Sequence, residues 1–374
     1  VLDTAVERIL NIIFKFSDNR QPGKFDKEAD HNLAARIARE SMVLLKNDGI
    51  LPLKGEGQKI AFIGKFAEKP RFQGGGSSHI NSFKVTSALD AVKKYADVSY
   101  AQGYDVKEDK VDEAMFAEAV ETAEHADIAV VFAGLPDAFE SEGYDREHMR
   151  MPECQNRLIA EIVKVQPNTV VVLHNGSPVE MPWADDVRGI LESYLCGQAV
   201  GEAQADILFG RANPCGKLAE TVPYKLSDNP SYLNFPGDGK TVEYREGVFV
   251  GYRYYDTKEM AVRYPFGYGL SYTTFEYSDL KLSAKEIKDT DTLTVSLKVK
   301  NTGSMAGKEI VQLYVTDKTN AASRPVKELK NFAKVELAPG EEKVVAMELD
   351  KRSFAWYNTE TVSYTHLRAH ETLS

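Results

Sequence analysis

The chain has few of the residues that mark disulfide-rich, metal-binding or nucleic-acid-binding proteins. Its three cysteines, Cys154, Cys196 and Cys215, are widely spaced among 374 residues, which argues against a disulfide framework and a Cys-x-x-Cys metal site. Of the seven histidines, only His366 and His370, both within residues 362–374, form a His-x-x-x-His pair, and none forms a His-x-His pair, so we predict no metal site. The net charge of −10 lacks the basic signature of a nucleic-acid partner.

Long apolar runs are also absent. None approaches the roughly 20 residues that span a membrane, so we predict no membrane partner. The chain begins at Val1 without methionine or a signal sequence, and we expect a fragment whose compartment, cytoplasmic or periplasmic and secreted, stays open. Residues 362–374 resemble a translated sequencing adapter, and we interpret them as an adapter-derived tail.

Short apolar runs and helical periodicity alternate in the first half of the chain. Apolar, β-branched runs start at Ile60, Val98, Ile128, Val170 and Gly189. The helical pattern covers residues 1–16, 31–46, 85–96, 111–125, 153–165 and 199–209. Apolar strands separated by helices predict an α/β sandwich, with a mostly parallel sheet covered by helices on both faces.

A different pattern follows. Residues 226–271 are rich in Pro, Gly and Tyr without clear periodicity, and we interpret them as an interdomain wrap. From residue 272 onwards, apolar and polar residues alternate between turn signals such as Asn301-Thr302-Gly303. This predicts an all-β sandwich of immunoglobulin or fibronectin III type over residues 272–361, after an α/β domain over 30–225.

Residues Glu140-Ser-Glu-Gly-Tyr-Asp-Arg146 are the strongest candidate for a reactive loop. They follow the apolar run 128–132, where α/β proteins place functional groups at the carboxyl end of a strand. Glu140 and Glu142, two residues apart, point to the same side of an extended loop, so one of them can serve as an acid. Gly143 permits a sharp turn, and Arg146 can tune a carboxylate.

A glycine-rich loop, Gln73–Ser78, follows the first strand of the predicted sheet. It lacks the GxxxxGKS and GxGxxG spacings of nucleotide sites. From the residues alone it is a surface turn or a loop that lines a binding site.

Several segments, in order, resemble one family. They are Ala38-Arg-Glu-Ser-Met-Val-Leu-Leu-Lys-Asn47 with Leu51-Pro-Leu53, Gly74-Gly-Gly-Ser-Ser78, Asn213-Pro-Cys-Gly-Lys-Leu218, Tyr264-Pro-Phe-Gly-Tyr-Gly-Leu-Ser-Tyr272, and Asn301-Thr-Gly303 with Gly307-Lys-Glu-Ile-Val-Gln-Leu-Tyr314. Over residues 1–361 the chain resembles the C-terminal half of glycoside hydrolase family 3, the β-glucosidase and β-xylosidase group.

The resemblance implies a partner domain and a reaction. The family's usual layout is a (β/α)8-like barrel, an α/β sandwich and often a fibronectin-like domain, so residues 1–29 would be the end of a missing barrel and its linker. The barrel carries the aspartate nucleophile, which is therefore absent from this chain. We expect a retaining exo-β-glycosidase, most simply a β-glucosidase, acting on oligosaccharides or aryl β-glycosides without a cofactor; homo-oligomerisation is left open.

The resemblance also implies roles for the loop residues. Members with a Ser-Gly-Glu-Gly-Tyr pattern place the general acid/base at Glu142, which we prefer, and members with Glu-x-x-Gly place it at Glu140. Asp145 and Arg146 are expected to pair and stabilise the loop. A second group, with Arg71 at its rim, is expected to line the sugar pocket: Gly75, Gly76, Ser77 and Ser78.

A rival interpretation treats the chain as a non-catalytic carbohydrate-binding or interaction module. An α/β sandwich followed by a fibronectin-like domain could bind a carbohydrate or a protein without a barrel domain. Flanking coding DNA distinguishes the two, because a barrel reading frame continuous with Val1 supports the enzyme. The sugar and the linkage cannot be read from these loops.

Overall fold

The computed structural model describes residues 1–21, 23–288, 290–318, 323–358 and 363–366. The α-helices are α1 Leu2–Asp18, α2 Lys27–Ser41, α3 Lys65–Glu68, α4 Ala88–Ala91, α5 Glu113–Glu124, α6 Glu153–Val165, α7 Val200–Leu208 and α8 Tyr252–Thr257. The strands of the first half are β1 Val43–Asn47, β2 Ile60–Ile63, β3 Val98–Ala101, β4 Ile128–Gly134, β5 Thr169–His174 and β6 Gly189–Glu192.

These six strands form one mixed sheet in the order β1-β6-β5-β4-β2-β3. Strands β2 to β6 run parallel, and only β1 is antiparallel to its neighbour β6. Every residue of β4 and β5 is buried, as expected for a parallel sheet covered on both faces. Helices α2, α4 and α7 pack together, as do α5 and α6. The predicted α/β sandwich is confirmed.

The helix predicted over residues 31–46 is wrong in its second half. Helix α2 ends at Ser41, Met42 is extended, and Val43–Asn47 forms β1. Val43, Leu44 and Leu45 are each at most 1% exposed. A surface helix buries one stripe of residues, whereas a strand covered on both faces buries consecutive ones, so the sheet position decides the local structure. The predicted helix 85–96 is also shorter, because α4 gives way to a 3₁₀ turn at Val92–Lys94.

The second half of the chain forms antiparallel sheets. Its strands are β7 Phe275–Leu282, β8 Leu293–Asn301, β9 Gly307–Val315, β10 Glu328–Leu337, β11 Glu342–Leu349, β12 Ala355–Asn358 and β13 Ser363–His366. Strands β11-β8-β7 form one sheet, and β10-β9 form another. Alternate residues such as Val295, Val311 and Leu349 form a separate core, which confirms the fibronectin-like prediction. Strand β13, within the expected adapter-derived tail, pairs with β12; residues 362 and 367–374 lie outside the described residues.

Charged contacts hold the β domain against the α/β domain. Lys308 and Lys334 donate to the two carboxylate oxygens of Glu40 on α2 at 2.7 and 2.8 Å. Hydrogen bonds from Lys308, which has the larger effect, and from Lys334 lower the pKa of Glu40 to about 2. Within the expected wrap, the Tyr252 hydroxyl accepts a hydrogen bond from the Leu329 N–H at 2.7 Å. The wrap therefore contacts the β domain directly.

Helix α1 buries none of its residues. Its exposed apolar side chains include Leu2, Ile9, Ile13 and Phe16. No helix in the described ranges is both long and apolar enough to cross a membrane. That α1 belongs to the end of a barrel domain stays a prediction. The three cysteines are free thiols, with Cys154 and Cys215 buried.

Candidate functional site

The loops at the carboxyl ends of β2, β4 and β5 meet at one edge of the α/β sheet. Parallel strands bring these ends together, which is the place predicted for function. The loop after β2 contains Arg71 and the glycine-rich segment, the loop after β4 contains Glu140 and Glu142, and the loop after β5 contains Gly176 and Ser177. Each contributes a partner to the carboxylates described next.

Glu140 is held by three donors from two other loops. Its carboxylate pairs with the Arg71 guanidinium at 2.6 Å and accepts the Gly176 N–H at 2.8 Å and the Ser177 hydroxyl. Burial acts to raise the pKa of Glu140, but hydrogen bonds from Ser177, Arg71 and Gly176 prevail and hold it below its usual value. This carboxylate is thus stabilised in its ionised form.

Arg71 is the centre of this anchor. Its guanidinium also donates to Asp137 at 3.0 Å, to the Leu135 carbonyl at 2.9 Å and to the Glu140 carbonyl at 2.7 Å. The residue is only 7% exposed. Four of its five N–H groups are therefore engaged with the loop that follows β4, instead of standing free at a pocket rim. A substrate contact by Arg71 stays a prediction.

Glu142 has the opposite environment. Its side chain is exposed, and its Oε2 accepts the Ser77 backbone N–H at 2.5 Å. Hydrogen bonding by the Ser77 side chain and backbone lowers the pKa of Glu142. Neither Glu140 nor Glu142 therefore has, in this chain, the raised pKa that a glycosidase acid requires. In both groups the hydrogen-bond donors around the carboxylate outweigh the effect of burial.

The glycine-rich loop and the loop of Glu142 approach so closely that side chains are excluded between them. Gly76 has a φ of +86°, and a Cβ atom there would lie 2.5 Å from Glu142 Cβ. A Cβ atom on Gly75 would lie 2.9 Å from Ser141 Cβ. Glycine is therefore required at both positions by close approach, and at Gly76 also by its backbone conformation.

The expected Asp145–Arg146 pair does not form between the described residues. Asp145 is exposed, whereas Arg146 donates to the Ser177 hydroxyl at 2.6 Å and to the Pro178 carbonyl at 3.1 Å. Arg146 thus binds the turn after β5, where two acceptors are within reach. Among the described residues Asp145 lies in no ion pair, so the loop-stabilising contacts belong to Arg146.

Comparison with known proteins assigns both domains of the chain. Residues 42–272 match the glycosyl hydrolase family 3 C-terminal domain, and residues 309–366 match the fibronectin type III-like domain. The chain belongs to glycoside hydrolase family 3.

Relatives in family 3 extend well beyond this chain. It is 57% identical over 366 residues to thermostable beta-glucosidase B of Acetivibrio thermocellus, covering 96% of the chain and 48% of that protein. It is 46% identical to an exo-alpha-(1->6)-L-arabinopyranosidase of Bifidobacterium longum, covering 93% of the chain and 47% of that protein. A crystal structure of the Bifidobacterium adolescentis family 3 beta-glucosidase superposes with a TM-score of 0.90 at 44% identity, covering 95% of the chain and 52% of that structure. The chain spans about half the length of the curated relatives that it matches.

Behind the family 3 loops lie two buried polar side chains, His174 and Glu192. His174, at the end of β5, contacts the Arg71 carbonyl at 3.2 Å and Gln204 at 2.8 Å, and burial lowers its pKa to about 4. It is therefore a neutral histidine of the core. Glu192, at the end of β6, was missed: burial raises its pKa to about 8. Its only signal in the sequence is a glutamate that ends an apolar run.

The site contains no cluster of metal ligands. In the described ranges no three His, Cys, Asp or Glu side chains are grouped so that they could hold an ion.

Proposed function

We propose that this chain supplies the general acid/base of a retaining exo-β-glycosidase, most simply a β-glucosidase, and that Glu142 is the acid/base. The observation that carries the assignment is the contrast between Glu142, an exposed carboxylate that only Ser77 binds among the described residues, and Glu140, whose two oxygens are engaged by Arg71, Gly176 and Ser177. Relatives at 57% and 40% identity are named beta-glucosidases. Because the relatives matched here are named as glycosidases, the non-catalytic module is not favoured.

The contacts of the two glutamates support this choice. A general acid must offer a proton to the leaving glycosidic oxygen, so one of its oxygens has to be accessible. Glu140 uses both oxygens for Arg71, Gly176 and Ser177, and protonation would disrupt a buried ion pair. Glu142 is exposed, and among the described residues only Ser77 binds its carboxylate, so an oxygen stays accessible to a substrate. Glu140 then positions the loop, and Glu142 transfers the proton.

The proposal requires a change in the pKa of Glu142 when the rest of the enzyme is present. Retaining glycosidases place two carboxyl groups about 5–5.5 Å apart, and the negative charge of the nucleophile raises the pKa of the acid. The nucleophile would come from the part of the protein that relatives have beyond this chain. Closure of the site would also exclude water from Glu142, which acts in the same direction.

The reaction then uses Glu142 twice. It protonates the leaving oxygen as the nucleophile attacks the sugar, and it later removes a proton from the water that hydrolyses the covalent intermediate. Ser77 and Ser78, exposed beside Glu142, would face the sugar with their hydroxyls, and Ser77 would release its backbone N–H bond to Glu142 as the proton is taken up.

A chimera tests the assignment. Residues 1–358 replace the matching segment of beta-glucosidase B from A. thermocellus, and turnover of nitrophenyl β-glucoside by the chimera is measured. Glu142→Ala should lower turnover by about 10²–10⁴-fold, and azide should restore turnover of the aryl glucoside by attacking the intermediate without a base.

Glu140→Ala is the matched control. It should lower activity by releasing the loop, and azide should not restore it. Circular dichroism and thermal unfolding confirm that both variants are folded. Rescue by azide in Glu140→Ala but not in Glu142→Ala would reverse the assignment.

A further inference from the structure

A cavity lies between the loop after β4 and the wrap, and neither Glu142 nor the glycine-rich loop lines it. Its volume is about 470 Å³, within the roughly 300–1,000 Å³ range of small-molecule sites. The lining comes from residues 146–149, the turn at Ser177 and Pro178, residues 220–231 and residues 246–255. We call it the Arg146 cavity.

The Arg146 cavity gathers side chains whose hydrogen-bonding capacity is unused. Four of its residues carry a buried polar atom without a partner among the described residues: Arg146 Nη2, His148 Nδ1, Thr221 Oγ1 and Glu246 Oε2. Ten such atoms occur in the described part of the chain, and four of them belong to residues that line this one cavity. Buried polar groups are normally hydrogen-bonded, and a concentration of exceptions points to a molecule that supplies the partners.

The charges around the cavity restrict that molecule. Arg146 offers a cationic donor, whereas Glu220 and Glu246 offer carboxyl groups. An anion would meet these carboxyl groups, and a cation would meet the guanidinium. A neutral molecule with hydroxyl groups can accept hydrogen bonds from Arg146 and donate hydrogen bonds to the two carboxyl groups. Met149 and Tyr255 form an apolar part of the cavity wall, against which its C–H groups can pack.

We propose that the Arg146 cavity binds a neutral polyhydroxylated ligand, a single sugar residue or a polyol. The proposal goes beyond the catalytic assignment and does not depend on the role of Glu142. It has a consequence for the loop, because Arg146 Nη1 donates to the Ser177 hydroxyl at 2.6 Å, and that hydroxyl donates to Glu140. A ligand that binds Nη2 of Arg146 therefore steadies the anchor of Glu140.

Ligand titration of the 374-residue chain, by calorimetry or ligand-observed NMR, tests the proposal. Glucose, xylose and glycerol are the probes, with inorganic phosphate as the anionic comparison. In Thr221→Val a methyl group replaces an unpartnered hydroxyl of the same shape, so the fold should keep or gain thermal stability. Loss of the proposed hydrogen bond between the Thr221 hydroxyl and the ligand should weaken sugar or glycerol binding about tenfold.

Thr86→Val is the matched control, since Thr86 Oγ1 is also buried and unpartnered but lies outside the Arg146 cavity. It should leave binding unchanged, and Glu246→Gln should weaken it. The proposal is overturned if none of the neutral probes binds the wild-type chain, which would assign the unpartnered atoms to water alone. It is also overturned if Thr86→Val and Thr221→Val weaken sugar or glycerol binding to the same extent. A third contrary result is that Thr221→Val weakens the binding of phosphate but of none of the neutral probes.

Discussion

Glu192 should make the stability of the α/β domain depend on pH in an unusual direction. The residue is 4% exposed, and burial raises its pKa from 4.5 to about 8. Between these values the folded state holds a proton that the unfolded state has lost. Stability therefore falls as pH rises from 4.5 to about 8, and the loss is constant above that.

The size of the effect follows from the pKa difference. Each pH unit in this window costs about 1.4 kcal/mol, so the full penalty reaches at most about 5 kcal/mol. Glu192→Gln removes the ionisation. One amide oxygen cannot replace both acceptors of Glu192, which bind Asn175 at 3.1 Å and the Tyr194 N–H at 2.9 Å, so a constant offset is expected as well. The slope with pH is therefore the informative quantity.

Urea unfolding of the chain between about pH 5 and pH 9 measures this slope. The stability of Glu192→Gln minus that of the wild type should rise with pH by up to about 1.4 kcal/mol per unit and level off near pH 8. Glu56→Gln, at an exposed position, should give a flat difference. A flat difference for Glu192→Gln too would refute the reasoning.

Three other predictions follow from the loops and the domain contact. Gly76→Ala should lower kcat/KM of the chimera by about 10²-fold, because the added methyl group displaces Glu142. Gly57→Ala is the control, since Gly57 has a similar φ of +75° but open space around it, and this variant should lose stability only. An equal loss of activity in the two variants would contradict the steric argument. The depressed pKa of Glu40 contributes stability above pH 4.5 that is lost as pH falls toward about 2. Between pH 4.5 and about 2 the free energy of unfolding of Glu40→Gln should therefore fall by about 1–2 kcal/mol less than that of the wild type, after allowance for solvent screening. An identical fall in the two proteins would show that the contact adds nothing to stability. The chain alone should hydrolyse nitrophenyl β-glucoside only at background rate, and turnover near that of beta-glucosidase B would show that its nucleophile lies within these residues.

The parallel sheet could be predicted from the sequence because its strands are buried on both faces. Continuous apolar runs such as 128–132 and 170–173, when they alternate with helices, are stable only as strands inside a covered sheet. The helix predicted over 153–165 has the observed limits of α6. Strand β1 could not be predicted in the same way. Its pairing partner β6 lies about 145 residues further along the chain, and Val43–Asn47 alone is compatible with either structure.

The site shows the same division between local and distant information. The proximity of two carboxylates in one loop is a local property and was anticipated. The local sequence suggested an Asp145–Arg146 pair as the loop contact, but the arginine that binds Glu140 is Arg71, which lies 69 residues away. The Ser77–Glu142 contact likewise joins residues 65 apart. Pairings at this range depend on the order of the strands in the sheet, which no short motif encodes.

The three free cysteines have a practical consequence for following the loops in solution. Burial raises the pKa of both Cys154 and Cys196 to about 12, and it also raises the pKa of Cys215. Thiol-directed dyes react with the thiolate, so all three should label slowly at neutral pH. A single Ser78→Cys substitution on the exposed glycine-rich loop would then take up a fluorophore or spin label selectively, without prior removal of the native thiols.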